Sequence, residues 1–175
     1  MACEKVQKGT LSSSFDKTLR QVQAGAEVLM TNQTGFVMTL DRSCNWSGKP
    51  AGNSGFPYNI GVNSSARFTH LRDGNFGSSG VVVYAGANVS MVSCAWVLAW
   101  DAPADSDDLP NKVYVACGPK GTIDGLTFDQ IRTNLEYSGA ASQAINPATQ
   151  INANAEINDM TAGTASVGAN FGLFN

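Results

Sequence analysis

Gly80-Val81-Val82-Val83-Tyr84-Ala85-Gly86-Ala87-Asn88-Val89-Ser90-Met91-Val92-Ser93-Cys94-Ala95-Trp96-Val97-Leu98-Ala99-Trp100-Asp101 is the stretch that decides how this chain is read. Two runs of β-branched and aromatic residues, Val81–Tyr84 and Val92–Trp100, flank the turn formers Gly86, Asn88 and Ser90. That pattern is a β-hairpin. Strands this apolar must be covered on both faces, which places them in the middle of a packed sandwich, between two facing layers of sheet.

Bulk composition agrees. The chain has 175 residues, 43% of them apolar and only 14% charged, with 18 glycines. Such a chain is long enough to bury a core without disulfides, and it reads as all-β with many turns. Its net charge of −3 offers no basic field for nucleic acid or anionic lipid. No window approaches the ~20 apolar residues of a membrane-crossing helix. The four cysteines, Cys3, Cys44, Cys94 and Cys117, form no C-x-x-C pair. With no apolar secretory segment at the N-terminus, reduced thiols and a cytoplasmic location are the expectation. Sequons at Asn32, Asn45, Asn63 and Asn88 are read as chance in an Asn- and Ser-rich chain.

Outward from the hairpin, Leu11, Phe15, Leu19 and Val22 recur at helical spacing, with Ser12–Ser14 as N-cap and Gly25 as stop. This predicts an amphipathic helix over 11–24, about 21 Å long, either docked on the sheet or able to lie on a bilayer. Residues 27–31 and 36–40 are strand-like, joined by an Asn-Gln-Thr-Gly turn. Residues 41–59 read as a long loop, in which Trp46 either plugs the core or offers a stacking surface. His70, the single histidine, falls in a short strand and reads as structural. Residues 101–110 form an acidic, proline-flanked loop without the glycine and closing glutamate of an EF-hand. Strand 112–117 precedes a helix over 124–137 carrying Leu126, Ile131 and Leu135. The expected organisation is a β-sandwich domain over 1–139 followed by an Ala/Asn-rich extension over 140–175, which is weakly ordered or adds strands.

No catalytic constellation is visible. One histidine rules out a multi-His metal site, and no G-x-S-x-G elbow surrounds any serine. Gly74–Gly80 lacks the Lys-Ser/Thr of a P-loop. No cofactor, metal or enzymatic activity is expected.

Several short stretches in one order carry a family likeness. They are Phe56-Pro57-Tyr58-Asn59-Ile60-Gly61, Ala66-Arg67-Phe68-Thr69-His70, Gly80–Tyr84, Trp96–Trp100, Asn111–Tyr114 and Phe128-Asp129-Gln130-Ile131. Across residues 28–137 this succession resembles the plant jasmonate-induced proteins, small stress proteins. More distantly the layout is similar to actinoporin-type pore-forming toxins, an antiparallel β-sandwich with an amphipathic N-terminal helix and a late helix. That resemblance implies a phosphocholine pocket near Pro103, Tyr114, Phe128, Arg132 and Thr133. Asp101 stands where the toxins have a serine, and Phe128, Arg132 and Thr133 where tyrosines are expected. The choline cage therefore lacks its ring faces.

The resulting expectation is a non-enzymatic stress or defence protein that binds a ligand or partner through the sandwich rim. The candidate residues are Trp46, Tyr58, Trp100, Asp101, Pro103, Tyr114, Phe128 and Arg132. Alternatives are a membrane-active pore former using Leu11, Phe15, Leu19 and Val22, and a lectin-like module using Trp46 and Tyr58. The partners considered are a glycan, a lipid head group and further copies of the chain.

Overall fold

The computed structural model describes residues 24–53, 55–74, 76–104, 109–159 and 164–174. Helix 11–24, with Leu11, Phe15, Leu19 and Val22, lies outside the described residues; Ala24 already begins the first strand.

The central hairpin is β6 (Ser78–Ala87) and β7 (Ser93–Ala102), paired antiparallel from Ser78↔Ala102 to Ala87↔Ser93. It sits inside a five-stranded sheet ordered β4-β2-β6-β7-β8, with β2 at Met38–Ser47, β4 at Asn59–Ile60 and β8 at Lys112–Pro119. A six-stranded sheet, ordered β3-β5-β1-β11-β10-β9, packs against it. Its members are β1 (Ala24–Gln33), β3 (Lys49–Pro50), β5 (Ser64–Leu71), β9 (Ala141–Asn146), β10 (Ile151–Asp159) and β11 (Ala165–Leu173). The molecule is a β-sandwich. One pair departs from the antiparallel expectation: β1 and β11 run parallel.

The hairpin is covered on both faces, but by different layers. Val82, Tyr84, Trp96, Leu98 and Trp100 face the second sheet. Val81, Val83, Ala95, Val97 and Ala99 point the other way, into a second core roofed by Ile123, Ile131 and Leu135. Strand alternation thus sends one set to sheet and the other to helices, which corrects the expectation of sheet on both sides.

The expected helix 124–137 is α2 (Phe128–Glu136), which starts four residues later than expected; a short helix that the sequence reading did not give, α1 (Lys120–Asp124), precedes it across Gly125–Thr127. Thr127 starts α2 with a capping box: its hydroxyl accepts from Gln130 N at 3.1 Å, and the Gln130 side chain accepts from Thr127 N at 2.8 Å.

Residues 41–59 are not one long loop, because β2 runs to Ser47 and β3 follows at once. Of the two readings of the Ala/Asn-rich tail, the structure shows the added strands. The tail supplies β9, β10 and β11, with β11 between β1 and β10. Its alternation explains why: Ile151, Ala153, Ala155 and Ile157 are buried, while Asn152, Asn154 and Glu156 alternate with them on the opposite face. Small alanines share this core with the bulky Tyr84, Trp96 and Trp100, and Trp96 Nε1 donates to Asn152 O at 3.1 Å.

Candidate functional site

Register places four polar residues in a row across the lower end of the five-stranded sheet. Ser47 pairs with Ser79, Ser79 with Asp101, and Asp101 with Lys112. Directly paired residues share a face, and this row continues the helix-covered face that Val81, Val97 and Ala99 begin. α2 ends above it. The space between is a cleft of about 360 Å³. Ser47, Ser79 and Asp101 form its floor, Trp46 and Arg132 one side, and Leu135 and Glu136 the roof. Asp73 and Phe76 from the β5–β6 turn, with Pro103 and Leu109 after β7, complete the mouth.

The electrostatics are mixed. Burial raises the Asp101 carboxyl above the usual range; Ser79, which hydrogen-bonds it, and the charges of Lys112 and Arg132 pull it down, and Glu136 pushes it up. The Arg132 guanidinium lies over the Trp46 ring, 5.9 Å from its centroid, and its Nε is 4.0 Å from Glu136 Oε1. Lys112 Nζ donates to Glu136 O at 2.6 Å. Among the described residues, the carboxylates Asp73, Asp101 and Glu136 line the cleft with the Arg132 guanidinium, and Lys112 stands beside Asp101.

Of the candidate residues, the fold brings Trp46, Asp101, Pro103 and Arg132 together here. The others lie elsewhere. Trp100 is fully buried between the sheets, because it has the opposite parity to Asp101, and its Nε1 donates to Ser78 Oγ at 3.1 Å. Tyr58 is exposed beside a separate depression of about 340 Å³, with Phe56, Pro57 and Arg67. Tyr114 on β8 and Phe128 at the start of α2 pack against the helix-covered core; the Tyr114 hydroxyl accepts from Asn134 Nδ2 at 3.2 Å, and Arg42 sits over the Phe128 ring at 5.2 Å. Thr133 turns its hydroxyl to Asp129 O at 3.0 Å. The phosphocholine arrangement is thus not assembled, and two ring faces already carry arginines. Ser47, Ser79, Asp73, Phe76, Leu109, Leu135 and Glu136 were missed: strand register brings in the serines, two turns bring Asp73, Phe76 and Leu109, and the docking of α2 brings Leu135 and Glu136.

His70 does not reach the cleft. It is fully buried; its Nδ1 accepts from the Ser78 hydroxyl at 2.9 Å and its Nε2 donates to Asn45 Oδ1 at 3.0 Å. Desolvation lowers its pKa to about 4. The sequons at Asn32 and Asn88 are equally occupied: the Asn32 amide donates to Phe36 O, Ile60 O and Gly61 O, and that of Asn88 to Thr149 O. Among the described residues no three His, Cys, Asp or Glu side chains converge to hold a metal, and no helix is long and apolar enough to cross a membrane.

No family model matches the chain. Among solved structures it is similar to the lipid binding protein Nakanori, with TM-score 0.70 and 20% identity over 84% of this chain and 70% of that one. That likeness is one of fold. A lectin of Xerocomus chrysenteron superposes at TM-score 0.48 and 10% identity over 83% of this chain and 98% of that one, too weakly to carry an argument. In sequence it is 39% identical over 154 residues to a jasmonate-induced protein homolog of Atriplex canescens, across 87% of this chain and 82% of that protein. With that identity over nearly the whole of both chains, the protein belongs to the jasmonate-induced protein family.

Proposed function

We propose that the protein is a non-enzymatic, stress- or defence-related binding protein whose cleft beneath α2 takes a sugar ring. The observation that carries this is the row Ser47–Ser79–Asp101 lying under Trp46 and Arg132. Hydroxyl and carboxylate groups on a rigid sheet suit the hydroxyls of a sugar, and an exposed aromatic such as Phe76 suits its apolar face. Among the described residues Asp73, Asp101 and Glu136 outnumber the cations Arg132 and Lys112 and oppose a phosphate group, so the site favours a neutral polyhydroxyl ligand over a phosphodiester. A free glycan and the head of a glycolipid present the same chemistry. The non-catalytic reading is supported by His70 and Ser78, which are fully buried away from the cleft.

A glycan array identifies the ligand, and calorimetric titration then compares variants. Trp46→Ala and Asp101→Asn should each weaken binding about tenfold or more, since each removes a group the sugar contacts. Full affinity in both variants would place the site elsewhere, and an array without a hit would reject the sugar reading.

A further inference from the structure

The opposite end of the sandwich is built differently. Five segments converge there: the β1–β2 turn (34–37), the β4–β5 turn (61–63), the β6–β7 turn (88–92), the β9–β10 turn (147–150) and Phe174. Buried asparagines staple them together. Asn32 Nδ2 reaches Phe36 O at 2.7 Å and Gly61 O at 3.0 Å, and Asn88 Nδ2 reaches Thr149 O at 2.9 Å. Phe174 N donates to Gln150 O at 2.8 Å. From this stapled base Val37, Val62, Val89, Met91, Val92 and Phe174 project outward, with Met91 71% exposed.

Backbone strain gathers at the same end. Among the described residues, the non-glycines in the left-handed region are Asn63, Met91 and Gln150, and each sits in one of these turns. Asparagine accepts that conformation; methionine does not accept it readily. The Asn88 side chain holds the Met91 turn from below by accepting from Ser90 N at 3.0 Å and Val92 N at 2.9 Å. A strained, rigid turn that presents an apolar side chain to water points to a function for that side chain.

None of the five segments contains a charged residue or a histidine. Lys120 follows Pro119, the register partner of Cys94 beside the β6–β7 turn, and is held by Asp41 and Asp124. We propose that this end docks on the interface of a zwitterionic lipid bilayer. Separate apolar tips ringed by Asn, Ser, Thr and Gln match a surface with polar groups above and hydrocarbon below. The net charge of −3 and the two carboxylates that hold Lys120, a cation beside this end, disfavour attraction to anionic lipid. A protein partner would instead favour one contiguous patch. The docked strands stand between the bilayer and the cleft. Ten-residue strands rise about 33 Å, so the cleft opens into solvent, away from the membrane.

The test is sedimentation of the full chain with phosphatidylcholine vesicles, with and without added phosphatidylserine. Binding to phosphatidylcholine should change by less than about twofold between low and high salt, because no charge pairing drives it. The double variant Val89→Ser with Met91→Asn should lose about a hundredfold in partitioning, roughly tenfold for each apolar tip removed. Asparagine suits the left-handed position, so this variant keeps its fold, checked by an unchanged circular-dichroism melt. The same variant should bind glycan normally, and Trp46→Ala should bind vesicles normally, which separates this proposal from the cleft. Absent binding, binding that needs phosphatidylserine and fails in salt, or full partitioning of the double variant would each overturn it. A concentration-dependent dimer abolished by the double variant, without vesicle binding, would assign this end to a second copy of the chain.

Discussion

His70 is surrounded by Asn45, Ser78, Phe56 and Trp100, with no charged partner among them. Its pKa falls from 6.5 to about 4 on folding, so between those values the unfolded chain binds the extra proton. Stability from this residue is complete above about pH 6.5 and is lost as pH falls toward 4, by about 3 kcal/mol in all. Melting temperature should therefore drop steeply across that window, and His70→Gln should flatten the drop; an unchanged slope would refute the assignment. Asp101 works in the opposite sense. Burial raises its pKa, so the ionised form costs stability as pH rises, and Asp101→Asn should melt higher than wild type at neutral pH while binding ligand less well. Such opposition of stability and binding marks a functional position. The structural part of His70 was legible from its place in an apolar strand. Its sealed hydrogen bonds were not, because Asn45 and Ser78 are brought to it by two other strands.

At the scale of elements, α2 is held by Ile131 and Leu135, both buried on the hairpin's outer face. Ile131→Ala should cost about 2–5 kcal/mol, read by denaturant unfolding, and should disturb the cleft roof as well. Gly77, at φ +81°, has no room for a side chain: an added Cβ would fall 2.3 Å from Ala102 O. Gly77→Ala should therefore unfold more readily than an alanine placed at Gly35, which has open space around it. The hairpin and the late helical region were readable because their apolar periodicities are strong. The true start of the late helix was also written in the sequence, as Thr127 followed three residues later by Gln130, a capping signal outweighed in the reading by Leu126, which extends the apolar stripe one turn too early. The tail concealed its strands differently: alanine and asparagine have poor strand propensity, and only the period-two burial of Ile151, Ala153, Ala155 and Ile157 reveals them.

For the whole molecule, β11 joins the first strand to the last hairpin of the same sheet. Removing residues 141–175 would strip β1 of its parallel partner and uncover Trp96, whose Nε1 donates to Asn152 O, so the truncated chain should show no cooperative melt. A polar cleft and a set of exposed apolar tips lie at opposite ends of the sandwich, a polarity that no single stretch of sequence displays. Half of the candidate site was readable, since Trp46, Asp101, Pro103 and Arg132 do meet; Ser47 and Ser79 entered only through cross-strand register. The account rests on that meeting point, and backbone amide shift mapping with an array-selected glycan tests it most directly. Shifts should concentrate at Ser47, Ser79, Asp101 and Arg132 and leave Met91 and Tyr58 unmoved. Shifts confined to Tyr58 and its neighbours, or none at saturating ligand, would contradict it.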